Sequence, residues 1–148
     1  MSESLGIKLF QMIDTPGILD RPMNQRNEIE KQSILAMRAI SNIVVFVFDP
    51  TMSCGYSIES QISLFKEIKS EFIDVIKVPY IILLNKIDIA SQEEMLNIKE
   101  KLGISDSNDT NCIETNAKDG TNINILIEKI IDIIKTEGLF SLDFSHLK

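Results

Sequence analysis

Short apolar runs alternate with amphipathic stretches along all but the last ten of the 148 residues. That alternation predicts βα units wrapped around a parallel sheet. Residues 7–13 (IKLFQMI) form a half-alternating run that predicts a first strand. Residues 43–48 (IVVFVF) and 80–84 (YIILL) are continuous apolar runs, the pattern of central strands covered by helices on both faces. A weaker strand is expected over 111–115, where alternation is poor. The expected fold class is therefore α/β, a three-layer parallel sheet with about four strands and four helices.

The intervening segments read as helices. Over 26–40 the apolar positions Ile29, Ala36 or Met37, and Ile40 share one face with Ser33. Ile58, Ile62, Phe65, Ile68 and Phe72 form the stripe of a second helix. Ser91 followed by Glu94 predicts a capping box, in which hydroxyl and carboxylate each take an orphan N–H of the first turn, and Gly103 ends that helix. A last helix over about 121–135 is expected to turn Ile123, Ile127, Ile130, Ile131 and Ile134 to the core, with Gly138 as its stop. The expected organisation is one domain over 1–138 and a tail over 139–148. The chain carries no internal repeat, Pro- or Ser-rich linker or low-complexity block.

Composition narrows the function. Fifteen Lys and Arg against 22 Asp and Glu leave a formal charge of −7. That balance argues against a broad basic footprint for nucleic acid or anionic lipid. A hydrophobic fraction of 44% is enough for a core. Cys54 and Cys112 match no metal-ligand or redox spacing, and neither a signal peptide nor a long apolar run is present. A cytoplasmic chain with reduced thiols and no membrane partner is the expectation.

Three polar clusters follow three of the four expected strands: Asp14-Thr15-Pro16-Gly17, Asn85-Lys86-Ile87-Asp88 and Thr115-Asn116-Ala117-Lys118. In an open parallel sheet the carboxyl ends of the strands share one rim, where ligands bind, so the clusters are expected to converge. The first is a turn by composition. As chemistry, Asp14 could hold Mg2+ through water, and Gly17 could let backbone N–H approach a phosphate. In the second, Asp88 either starts a turn or reads guanine, whose N1–H and 2-amino donors match the two oxygens of a carboxylate. Adenine cannot satisfy that pairing. Asn85 would then tie the loop to its neighbours, and Lys86 would lay its aliphatic stem along the purine. In the third, Ala117 would donate its N–H to the guanine 6-oxo group, with Lys118 over the other ring face. Read alone, TNAKDG is a strand end and a helix cap.

Taken in this order and spacing, the motifs resemble the switch and base-recognition half of a translation-factor-related GTPase. DTPGILDRPMNQRNEIEKQ followed by a strand and DPTMSCGYSIESQ resembles, more narrowly, the Nog (nucleolar G protein) branch of the Obg-like GTPases. The resemblance spans about residues 7–135. It implies GTP or GDP and Mg2+ as cofactors, GTP hydrolysis by a parent protein, and the large ribosomal subunit or its precursor as partner. It also implies Asp14 as the metal ligand, Gly17 at the phosphates, and Asn85, Lys86, Asp88, Asn116, Ala117 and Lys118 around the base.

Two departures qualify that picture. A complete GTPase carries GxxxxGK[ST], whose N–H groups and Lys cradle the phosphates, and no glycine here is directly followed by lysine. The chain is accordingly expected to be part of a longer protein, inactive alone, with the remaining N-terminal half of the domain as its partner. A strand absent between the DTPG and IVVFVF strands would leave sticky edges, unless those two strands pair directly. Second, where Ras-like enzymes place a water-orienting Gln after the DTPG-type glycine, this chain has Ile18, so no catalytic residue is identified and slow turnover is expected. Asp20, Arg21, Pro22, Arg26 and Asn27 read either as a solvated loop or as a ribosome-facing switch. Cys54-Gly55-Tyr56 is an ordinary loop or packs on that switch, and His146 belongs to the tail. The alternative function is a docking module that keeps the rim but not hydrolysis.

Overall fold

The computed structural model describes residues 11–14, 41–104 and 111–138. Strands β1 (Val44–Phe48), β2 (Tyr80–Leu84) and β3 (Cys112–Glu114) form a parallel sheet in the order β1-β2-β3. Val44 stands opposite Tyr80 and Phe48 opposite Leu84, while Ile82 stands opposite Cys112 and Leu84 opposite Glu114. Helix α1 (Ile58–Ile68) runs through a π-helical segment, Lys69–Ile73, into a short turn, α2 (Asp74–Ile76). Helix α3 (Gln92–Leu102) links β2 to β3, and α4 (Ile123–Thr136) closes the described chain.

The sheet is covered on both faces because β2 is apolar at every position and alternates its side chains. Ile82 and Leu84 join Phe48, Ile58, Ile62, Phe65 and Ile98 beneath α1 and α3. Ile81 and Leu83 join Ile113, Leu126, Ile130 and Ile133 beneath α4. The α1 stripe runs as its spacing predicts, with Ile58, Ile62, Phe65 and Phe72 buried and Ile68 half-buried. At α3 the capping box forms: the Glu94 N–H donates to Ser91 Oγ at 3.2 Å and the Ser91 N–H to Glu94 Oε2 at 2.7 Å. Gly103 ends the helix at φ 74, in the left-handed region that glycine enters without a Cβ penalty.

Three expectations are revised. Residues 11–13 of the expected first strand carry no strand structure, and Met12 and Ile13 are exposed; no described strand lies alongside to take their backbone groups, which is what a strand requires. Residues 7–10, the helix expected over 26–40 and the tail lie outside the described residues. Among the described residues β1 pairs with β2 alone, so it lies at the edge of the described sheet rather than at the centre its apolar run predicts, and Val47 is 52% exposed on it. Finally, α4 buries Leu126, Ile130 and Ile133, with Ile123 and Ile134 partly buried, and leaves Ile127 and Ile131 exposed. A helix this rich in isoleucine has two adjacent apolar stripes, and contact with Ile81, Leu83 and Ile113 selects between them.

Candidate functional site

The parallel register places Asp49, Asn85 and Thr115, each directly beyond its strand, on one rim. Backbone bonds continue the ladder into it: the Asn85 N–H donates to the Phe48 carbonyl at 2.9 Å, and the Thr115 N–H to the Leu84 carbonyl at 2.8 Å. The second and third polar clusters therefore converge as expected. Asn85 Oδ1 accepts the Ala117 N–H at 3.0 Å and lies 3.4 Å from Thr115 Oγ1. Asn116, 4% exposed, caps its own turn by accepting the Lys118 N–H at 3.1 Å, and its backbone bridges to Thr121. Asn122 Nδ2 donates to the Glu114 carbonyl at 2.9 Å, fixing the entry to α4.

Lys86 sits at φ 64, a conformation unusual for a residue with a Cβ and common at constrained functional turns. Its carbonyl accepts the Ile89 and Ala90 N–H groups at 3.1 and 3.0 Å, closing the turn that carries Asp88. Asp88 is exposed and makes no hydrogen bond or ion pair to any described residue, leaving both oxygens open. Ala117 and Lys118 are exposed on the loop after β3, which Asn85 ties to the same rim. The Ala117 N–H already has an acceptor. It is engaged by Asn85, so it reaches a guanine 6-oxo group only by sharing its hydrogen between two acceptors.

The Lys86 ammonium ends 2.6 Å from Asp49 Oδ2 and 2.6 Å from Ser53 Oγ. Asp49 opens the DPTMSCGYSIESQ stretch but was given no role of its own from the sequence; its signal is that it follows β1 as Asn85 follows β2. Its carboxylate also accepts from the Thr51 N–H (3.0 Å) and hydroxyl (2.6 Å), the Ser53 hydroxyl (3.0 Å) and the Cys54 N–H (2.8 Å). Gln61, 2% exposed on α1, holds the backbone beneath. Its Oε1 accepts the Asp49 N–H at 2.8 Å, and its Nε2 donates to the Asp49 and Tyr56 carbonyls, each at 3.1 Å. The Cys54-Gly55-Tyr56 segment thus folds onto Asp49 and Gln61, with Gly55 turning at φ 88.

Burial pushes the Asp49 carboxyl up, but the Lys86 ammonium, the Thr51 and Ser53 hydroxyls and the Cys54 N–H together hold it well below the usual carboxylate range. The folded-state value lies below the unfolded value of about 3.9, so the carboxylate's stabilising contribution is complete above that pH and is lost as the pH falls beneath it. The stability lost between pH 5 and pH 3 is therefore expected to be smaller in Asp49→Asn than in the native chain. Urea unfolding at the two pH values checks this.

Asp14 is exposed, and among the described residues no three His, Cys, Asp or Glu side chains gather. Its single carboxylate suits Mg2+ only in the mode where phosphate oxygens and water complete the shell. Gly17, Ile18, Arg21 and Arg26 lie outside the described residues. A recess of about 510 Å3 opens at the opposite end of the sheet between Lys77, Tyr80, Lys129 and Asp132. It is mixed in charge and remote from the rim, so the chemistry of the rim rather than concavity locates the site. No described helix is long and apolar enough to cross a membrane.

The fold is that of the P-loop GTPase class. Within that class the chain is similar to one branch in particular. Residues 28–88, ending on Asp88, match the family model of nucleolar GTP-binding protein 1 (NOG1). An uncharacterized protein of Methanocaldococcus jannaschii is 49% identical over 86 residues, 58% of this chain and 23% of that protein. A Dictyostelium discoideum protein named probable nucleolar GTP-binding protein 1 is 44% identical over 86 residues, 58% of this chain and 12% of that one. The solved nucleolar GTP-binding protein 1 chain of Plasmodium falciparum superposes with a TM-score of 0.63 at 30% identity, covering 87% of this chain and 66% of that chain. The chain thus spans about a quarter or less of the curated relatives it matches, and its resemblance is to the Nog GTPase domain.

Proposed function

We propose that the rim binds the base of a guanine nucleotide, and that the parent protein is a GTP-binding factor acting on the large ribosomal subunit or its precursor. The observation that carries the reading is Asp88: an exposed carboxylate, unpartnered among the described residues, on a turn held by Asn85 on one side and Lys86 on the other. Two oxygens there accept guanine N1–H and 2-amino together. The Lys86 stem, anchored at its tip, offers an apolar edge to the purine, and Lys118 stands exposed on the β3 side of the rim. Mg2+ would take Asp14 as one ligand, with phosphates and water as the others. The named relatives are called GTP-binding and nucleolar, which supports both the nucleotide and, in cells with a nucleus, a nucleolar place rather than the default cytoplasm.

The alternative, a docking module, has less in its favour, because docking alone does not require the open carboxylate at Asp88. The sequence contains no GxxxxGK[ST], so the reading for these residues is recognition of the base rather than hydrolysis. Base chemistry supplies the test. Xanthine replaces the guanine 2-amino donor with an oxo acceptor, which an amide NH2 can satisfy. Asp88→Asn is expected to weaken GDP and strengthen xanthosine diphosphate, each by about tenfold, about 1.4 kcal/mol. Competitive binding of the two nucleotides reads the change. An unchanged preference would remove Asp88 from the base site.

A further inference from the structure

Building on the base-reading role of Asp88, we infer that Asp49 is a positioning residue for the nucleotide site. It acts through Lys86 to hold the Asp88 turn in its binding geometry. Three observations carry this. Asp49 is itself tied on every side: its carboxylate accepts four hydrogen bonds from Thr51, Ser53 and Cys54, and its backbone N–H and carbonyl both bond the buried Gln61. Lys86 spans 37 residues of sequence to reach that fixed anion and also donates to Ser53. The Lys86 carbonyl in turn closes the turn bearing Asp88, through the Ile89 and Ala90 N–H groups.

The left-handed backbone at Lys86 therefore persists because its two ends are tied, the side chain to the β1 rim and the carbonyl to its own turn. Asn85 supplies the matching tie to the β3 rim through Ala117. A long flexible side chain pinned at its tip gives up its rotamer freedom before ligand arrives rather than on binding. In this arrangement Asp88 selects the base, Lys86 covers it, and Asp49, which touches no nucleotide, keeps both in place.

The test is a double-mutant cycle on this chain with Asp49→Asn, Lys86→Met and the double variant. Lys86→Met keeps the aliphatic stem and removes the ammonium. GDP affinity is measured by calorimetry, and amide hydrogen exchange at Ile87 to Ala90 is measured without nucleotide. Each single variant is expected to weaken GDP about tenfold and to speed exchange of the turn, with the double variant no worse than either single, because the two residues act as one unit. Losses that multiply to about a hundredfold, as independent sites give, would overturn the inference. So would Asp49→Asn with native affinity and native exchange. If Asp49→Asn does not fold, Lys86→Met, which leaves the other Asp49 partners intact, decides: native exchange of the turn in that variant overturns the inference. If the native chain shows no preference for GDP over ADP while the exchange arm still shows coupling, the base-reading role of Asp88 fails, and the coupling stands only as an anchor of the turn.

Discussion

Phe48→Ala is expected to lower the unfolding free energy by about 3–5 kcal/mol, the largest loss at any single position described above. Phe48 is completely buried at the end of β1. Its ring centroid lies 4.7 Å from that of Phe46 and 5.7 Å from that of Phe65, the latter pair edge-on at 68°. Truncation removes the apolar burial and leaves a cavity between β1 and α1 that a parallel sheet cannot collapse to fill. The same residue carries the first rim bond through its carbonyl, which accepts from Asn85. Loss of stability should therefore be accompanied by faster hydrogen exchange at Asn85. Urea unfolding followed by far-UV circular dichroism gives the first quantity. A loss under about 1 kcal/mol, within the range of ordinary surface substitutions, would show that this cluster is not the core.

Gln61→Leu is expected to cost about 2–4 kcal/mol, because a near-isosteric apolar side chain leaves the buried Asp49 N–H without its acceptor and removes the Nε2 donor shared by the Asp49 and Tyr56 carbonyls. The comparison with Phe48→Ala is informative. Phe48 stabilises by apolar burial, whereas Gln61 stabilises by satisfying backbone groups that no strand or helix can reach. Gln61→Glu separates shape from charge, since it keeps one acceptor for the Asp49 N–H but loses the donor to the carbonyls. Its cost is expected to be at least as large. Thermal melts of the two variants check the order, and a Gln61→Leu variant as stable as the native chain would contradict the described bonds.

The parts of the fold that could be read from sequence were those specified by local pattern. β2 begins at Tyr80 and ends at Leu84 as its continuous apolar run predicts, because a strand covered on both faces has no polar position to blur its ends. The Ser91–Glu94 capping box and the Gly103 stop are also local signals, each contained within one turn of chain. The isoleucine-rich α4 was less legible, because neighbouring stripes of the helix are equally apolar and only the facing sheet chooses between them. The rim divides in the same way. That the Asn85 and Ala117 clusters meet was legible from motif order, whereas the bond between them was not. The Asp49–Lys86 pair was not, since it joins two βα units whose spacing carries no motif, and the Gln61 clasp was not, since nothing within the DPTMSCGYSIESQ stretch marks its two end residues as partners. What the sequence did offer was register: a polar residue follows each of the three strands, and Asp49 occupies that position after β1.

The central claim is that this rim selects guanine, and calorimetric titration of the 148-residue chain with GDP, using ADP as the control, tests it most directly. The account predicts that GDP binds, that ADP does not, and that GDP binding disappears in Asp88→Ala while the variant melts as the native chain does. Equal binding of GDP and ADP, or GDP binding that survives Asp88→Ala, would contradict it.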